Sequence, residues 1–88
     1  MDDLQALSDI AKRNDIPMHI DACMGGFILP FAKDAGYPLP PFDFTLPGVT
    51  SISADIHKYG MCPKGASVIM FRNAELRKCA IFSCTILT

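Results

Sequence analysis

Val49-Thr50-Ser51-Ile52-Ser53-Ala54-Asp55-Ile56-His57-Lys58-Tyr59-Gly60-Met61-Cys62-Pro63-Lys64-Gly65 opens as a strand and closes as a loop. Apolar and small polar residues alternate from Val49 to Ser53, the period of a pleated strand with one covered face. The loop that follows carries adjacent cations, His57 and Lys58, and a second lysine, Lys64, between Pro63 and Gly65. Behind it, Ala66 to Phe71 is a strongly apolar strand. A histidine-lysine pair where a strand gives way to a loop lies where open α/β sheets bind ligands.

Upstream, the chain alternates elements in the same manner. Leu4, Leu7, Ile10 and Ala11 recur at helical spacing, with Asp2 and Asp3 expected in the first turn and Lys12 and Arg13 in the last, as the helix dipole favours. Asn14, Asp15 and Pro17 close that helix, and Met18-His19-Ile20-Asp21-Ala22 reads as a short buried strand ending on an acid. Gly25 and Gly26 mark a turn, Phe27 to Ala35 a short helix interrupted by Pro30, and Gly36 to Pro47, with Pro38, Pro40 and Pro41, an extended loop. Downstream, Asn73 caps a short helix through Leu76 to Lys78, and Ile81 to Leu87 is a further apolar strand. The order predicts an α/β layered fold with helices beside a sheet. So few strands leave much apolar surface uncovered, so residues 1–88 are expected to be part of one larger domain with no internal boundary.

Composition narrows the function. Eight Lys plus Arg stand against nine Asp plus Glu, with no basic tract, so nothing argues for nucleic acid or an anionic membrane surface as partner. No apolar run reaches the roughly 20 residues that span a bilayer, and the acidic start MDDLQALSDI is unlike a signal peptide. The expectation is a soluble, intracellular chain without membrane contact. Cys23, Cys62, Cys79 and Cys84 show neither CxxC spacing nor the density of a disulfide scaffold, and read as reduced thiols. His19 and Cys23 lie four apart, but on a strand that spacing spreads ligands, so zinc is discounted.

Asp21 and Lys58 both fall where predicted strands end, and so can face one crevice. An acid and an amine so placed are what pyridoxal phosphate requires. The lysine holds the cofactor aldehyde as a Schiff base, and the aspartate keeps the ring nitrogen protonated so that the ring accepts electrons. His57 would donate to the cofactor phosphate or cover the site. Spacing leaves other readings open: Asp21 also suits a strand-end cap, and Lys58 and Lys64 suit solvated loop cations.

Longer words are more specific. HIDACMGGFILPFAKDAGYPL, PFDF and GVTSISADIHKYGMCPKGASVIMF resemble, in order and spacing, the cofactor-binding core of the sphingosine-1-phosphate lyase family, within the pyridoxal-dependent decarboxylase superfamily. The resemblance runs from about Ile16 to Arg72. It implies the large cofactor-binding domain of a fold-type I enzyme, with a mixed, mostly parallel sheet flanked by helices. It also implies that Lys58 carries pyridoxal 5'-phosphate, Asp21 faces the pyridine nitrogen, His57 lies near the cofactor, Cys23 packs against the ring, and Lys64 stands near the substrate phosphate. For His19 a buried strand residue is as fitting as a catalytic part. Met61-Cys62 and the ending CAIFSCTILT depart from the family pattern.

The implied reaction cleaves the C2–C3 bond of sphingosine or sphinganine 1-phosphate to a long-chain aldehyde and phosphoethanolamine, with Lys58, once released, moving protons. A homodimer is implied for the complete enzyme, whose eukaryotic members are anchored in the endoplasmic reticulum membrane. The alternatives are an amino-acid decarboxylase using the same lysine and aspartate, and a non-catalytic truncated product.

Overall fold

A computed structural model describes residues 1–81. Helix α1 (Leu4–Arg13) is followed by strand β1 (Met18–Asp21), a 3-10 turn at Gly25–Phe27, helix α2 (Leu29–Asp34), strands β2 (Val49–Asp55) and β3 (Ser67–Phe71), and helix α3 (Ala74–Lys78). The apolar stretch expected as a strand from Ile81 to Leu87 lies, beyond Ile81, outside the described residues.

The α1 stripe forms a helix as its spacing predicts, but Asp3 lies outside the first turn. It is the N-cap, its carboxylate accepting from the Ala6 amide at 3.1 Å and satisfying one of the free N–H groups of the helix start. Asp15, at φ 51, turns the chain out of the helix, and the Ile16 amide closes on the Ala11 carbonyl at 2.9 Å. The segment expected as one helix from Phe27 to Ala35 divides into the 3-10 turn and α2, because Pro30 has no N–H to donate and fits only the first turn of a helix. Asn73 caps α3 as expected, accepting from the Leu76 amide at 2.9 Å.

The three-stranded sheet has the order β1-β2-β3. β1 and β2 are parallel, with His19 opposite Ser51 and Asp21 opposite Ser53. β2 and β3 are antiparallel, with Asp55 opposite Ser67 and Ser51 opposite Phe71. The mixed sheet is as expected, although its described pairings are one parallel and one antiparallel. The long stretch from Ala22 to Gly48, with α2 inside it, carries the crossover that a parallel pair needs, whereas the stretch from Ile56 to Ala66 holds no helix and returns the chain directly.

Alternation gives the sheet two unlike faces. Ile20, Ile52 and Ala54 point to one and are buried, joining Leu46 and Val49, which are 1% and 0% exposed. Leu4 of α1 packs on this cluster. The buried Ser8 hydroxyl accepts from the Gly48 amide at 2.8 Å, docking α1 against the entry to β2. Gly26 approaches β2 so closely that a Cβ there would lie 2.5 Å from the Ala54 Cβ. The entry to β2 is pinned from the far side of the sheet by Arg72, whose guanidinium donates to the carbonyls of Val49 (2.7 Å), Leu46 (2.7 Å) and Phe44 (2.9 Å) and lies over the Phe44 ring. The other face carries His19, Asp21, Ser51, Ser53, Asp55 and Ser67, whose register makes them neighbours, with Ile69 and Phe71 of β3 beside the serines. The expectation of a buried β1 therefore holds only for Ile20: His19 is exposed.

Candidate active site

Because β1 and β2 run parallel, their carboxyl ends lie at the same end of the sheet, where the polar face ends in Asp21 and Asp55. Asp21 turns its carboxylate back onto the chain just past β1, and Oδ1 accepts the Cys23 amide at 3.1 Å. That bond, with the Cys23 side chain next, holds the Asp21 carboxyl below its ordinary value; the charges of His19 and Lys58 act in the same direction. The strand-end cap and the candidate ligand are thus the same residue. The cap uses Oδ1.

β2 continues to Asp55, two residues past the predicted end, and the chain then turns at once. The Lys58 amide donates to the Asp55 carbonyl at 3.4 Å, and its ammonium nitrogen Nζ lies 3.0 Å from Asp55 Oδ2. The Lys58 amine is accordingly pushed above its ordinary value, by Asp55 first and by the Cys23 side chain second. Asp55 is held ionised from the other side: the Ser67 hydroxyl on β3 donates to Oδ1, and this bond, followed by that to Lys58, moves the carboxyl down. His57 Nε2 is 3.7 Å from the same Asp55 Oδ2, while its Nδ1 lies 2.8 Å from the Ala66 carbonyl and, facing an acceptor, must carry the hydrogen. The Ala66 carbonyl also accepts the His57 amide at 3.0 Å, so both ends of the loop are tied together. Within it, Met61 adopts φ 61 and Gly65 φ 105, the second a conformation that glycine takes without a Cβ clash.

The structure brings Asp21, Cys23 and Lys58 to one end of the sheet, with Cys23 beside both charged groups. His57 is adjacent, but its ring nitrogens face Asp55 and the Ala66 carbonyl. Lys64 is exposed and forms no ion pair among the described residues. One participant, Asp55, was missed in the sequence, where His19 reads equally as a buried strand residue or a catalytic part. Asp55 is the partner of Lys58, and the continuing alternation Ser51, Ser53, Asp55 against Ile52, Ala54 was the signal that the strand reached it. His19 is held by hydroxyls of β2, with Nδ1 2.7 Å from Ser51 Oγ and Nε2 3.1 Å from Ser53 Oγ. A cleft of about 670 Å³ follows the other side of β1, between α1, Leu29 and Phe42; Asp21 lines it and Lys58 does not.

The chain that carries this acid, thiol and amine matches a known class. The family model for the pyridoxal-dependent decarboxylase conserved domain covers residues 1–88, and the chain belongs to that family. More narrowly, it is similar to sphingosine-1-phosphate lyases. The lyase of Oryza sativa subsp. japonica is 55% identical over 78 residues, covering 89% of this chain and 14% of that protein. A solved structure of the sphingosine-1-phosphate lyase of Burkholderia pseudomallei matches with a TM-score of 0.85 and 53% identity, over 89% of this chain and 18% of that one. The L-aspartate/L-glutamate decarboxylase of Pyrococcus horikoshii is 54% identical over 78 residues, covering 89% of this chain and 20% of that protein. The chain thus spans about a seventh to a fifth of the length of these relatives. No helix among the described residues is long and apolar enough to cross a membrane.

Proposed function

We propose that this chain supplies the lysine and the aspartate of a pyridoxal phosphate site, as part of the large cofactor-binding domain of a carbon-carbon lyase. Its substrate is a long-chain base phosphate, sphingosine or sphinganine 1-phosphate, cleaved between C2 and C3 to a long-chain aldehyde and phosphoethanolamine. The observation that carries this reading is the meeting of Asp21 and Lys58 around Cys23, at the carboxyl ends of parallel strands.

The donor set fits the cofactor. Lys58 offers a primary amine, and Asp21 a carboxylate, ionised at neutral pH, whose acidity the bond from the Cys23 amide strengthens. Pyridoxal phosphate, when bound, supplies an aldehyde for the amine and a ring that takes up the electrons of the breaking bond. Asp21 holds a proton on the facing ring nitrogen, because a fixed negative charge favours the protonated form. Lys58 would hold the aldehyde carbon of the cofactor and, when released from it, would be available to move protons. Cys23, small and next to Asp21, packs against the ring, and His57 flanks it. Lys64 offers an exposed cation to the substrate phosphate. A homodimer completes the site in this reading.

A second reading has its own support. The similarity to an amino-acid decarboxylase is nearly as high as that to the lyases, so the same lysine and aspartate would serve carboxylate loss as well. The test is to load the full-length protein with pyridoxal phosphate and offer sphinganine 1-phosphate, aspartate and glutamate separately. Release of a long-chain aldehyde supports the lyase. Carbon dioxide from an amino acid, with no aldehyde, replaces it by the decarboxylase.

A further inference from the structure

The Lys58 amine has a partner that the reaction chemistry does not require. Asp55 lies at the end of β2, half-sheltered, with its two oxygens given different tasks: Oδ1 accepts the Ser67 hydroxyl from β3, and Oδ2 faces both Lys58 Nζ at 3.0 Å and His57 Nε2 at 3.7 Å. Asp55 and Ser67 are register partners, so sheet geometry fixes the carboxylate before any lysine approaches it. An ordinary surface ion pair joins two mobile side chains and contributes little. Here the carboxylate already has a partner on the neighbouring strand.

We propose that Asp55 is a positioning residue that seats the Lys58 ammonium whenever that amine is not bonded to an aldehyde. The inference rests on the reading of Lys58 as the cofactor lysine. A lysine displaced by an incoming amine has to remain close enough to act on the substrate and later to return. A four-carbon stem without an anchor explores many rotamers, and holding it costs side-chain entropy. Asp55 confines it through one fixed oxygen, three residues back along the chain.

The seat also governs protonation. The groups facing Lys58 are Asp55 from β2, Cys23 from the loop after β1, and Asp21 at greater range; those facing Asp55 are Ser67 from β3, with His57 and Lys58 from its own loop. Asp55 acts first among the groups that raise the affinity of Lys58 for its proton. An amine attacks an aldehyde only when neutral. The seated lysine is therefore poised but unreactive, and it becomes a nucleophile on losing one proton to water or to a neighbouring base as the pair opens.

The test uses the full-length protein freed of aldehyde by hydroxylamine and dialysis. Limiting acetic anhydride is applied across a pH series, and acetylation of Lys58 is quantified by peptide mass spectrometry. Asp55→Asn should move the Lys58 profile to lower pH and raise labelling near neutrality several-fold. Asp55→Glu, which keeps the charge, should restore most of the original profile, and Ser67→Ala should move it in the same direction as Asp55→Asn but less. A folded Asp55→Asn protein with an unmoved profile overturns the proposal. Should that variant not fold, an unmoved profile in Ser67→Ala overturns it instead. Borohydride reduction of the loaded wild-type protein separates the two readings, because absence of cofactor from Lys58 would remove the cofactor assignment and leave the titration result standing.

Discussion

Asp21 faces Ser53 across the parallel pairing of β1 and β2, and the Ser53 hydroxyl reaches toward its carboxylate at 3.5 Å. That distance is at the limit of a hydrogen bond, so the Cys23 amide, at 3.1 Å, is the firmer partner. The register has a larger effect than the contact. Since Asp21 ends β1 opposite Ser53, β2 runs on past it to Asp55, and the turn beyond brings Lys58 back over the strand end. Acid and amine thus come from adjacent strand ends without either being placed by a long flexible loop.

The ionised state of Asp21 is what the proposed chemistry uses. Asp21→Asn keeps the shape and can still accept the Cys23 amide through its carbonyl oxygen, but it removes the charge. Turnover of the full-length protein should fall by several orders of magnitude while retained pyridoxal phosphate falls little. Steady-state rates compared with cofactor absorbance provide the measurement. Near-normal turnover would reduce Asp21 to a turn cap.

Lys58, and not Lys64, should be fixed to the cofactor when the loaded protein is reduced with borohydride and its peptides are mapped. The reason is local: Lys58 lies by Cys23 and within the field of Asp21, whereas Lys64 is an exposed loop residue with no ion pair among the described residues. Label on Lys64 alone would reverse the assignment.

Which of these relationships could be read in the sequence follows from their range. The α1 stripe, the Asn73 cap and the strand-end positions of Asp21 and Lys58 depend on periodicity and near neighbours, which sequence displays directly. His19 was misread because Met18 and Ile20 flank it with apolar residues; the two-residue period in fact puts it on the polar face with Asp21, between serines more than thirty positions away. Asp55 was hidden inside a polar loop word, since its role depends on Ser67 arriving from another strand. The direction of β3 was legible in principle, from a connection without a helix.

Stability should depend on pH in a definite direction on each side of neutrality. Asp21, Asp43 and Asp55 all have carboxyls below the ordinary 3.8, Asp43 because the Thr45 hydroxyl and amide both donate to it. Near and below 3.8 the unfolded chain then binds more protons than the folded one, so their contribution, present above that pH, is lost as pH falls through the folded values. In the aldehyde-free protein Lys58 runs the opposite way: its contribution is present below 10.5 and fades as pH rises beyond it. Urea midpoints measured against pH should decline at both extremes, and Asp43→Asn should flatten the acid limb. An acid limb unchanged in that variant would count against the Asp43 assignment.

The entry to β2 should be among the least tolerant points of the chain, because Gly48 is where α1 touches the sheet. Its amide donates to the buried Ser8 hydroxyl, and a Cβ at this position would overlap the Ser8 carbonyl oxygen and lie 2.9 Å from its carbonyl carbon. Those atoms are helix backbone and cannot turn aside, so relief requires α1 to move off Leu46 and Val49. Gly48→Ala should therefore destabilise the protein by about 1–3 kcal/mol or more, the cost of overpacking a rigid site. Gly36→Ala provides the comparison. Gly36 has φ 95 with no atom within 4 Å of the added Cβ, so its penalty is backbone strain alone, about 1 kcal/mol. Ser8→Ala would leave the Gly48 amide without its acceptor, at a cost of about 1–3 kcal/mol. Equilibrium urea unfolding of the full-length variants should rank Gly48→Ala at or beyond Ser8→Ala, with Gly36→Ala mildest. A Gly48→Ala protein as stable as the original would mean that α1 docks without this contact.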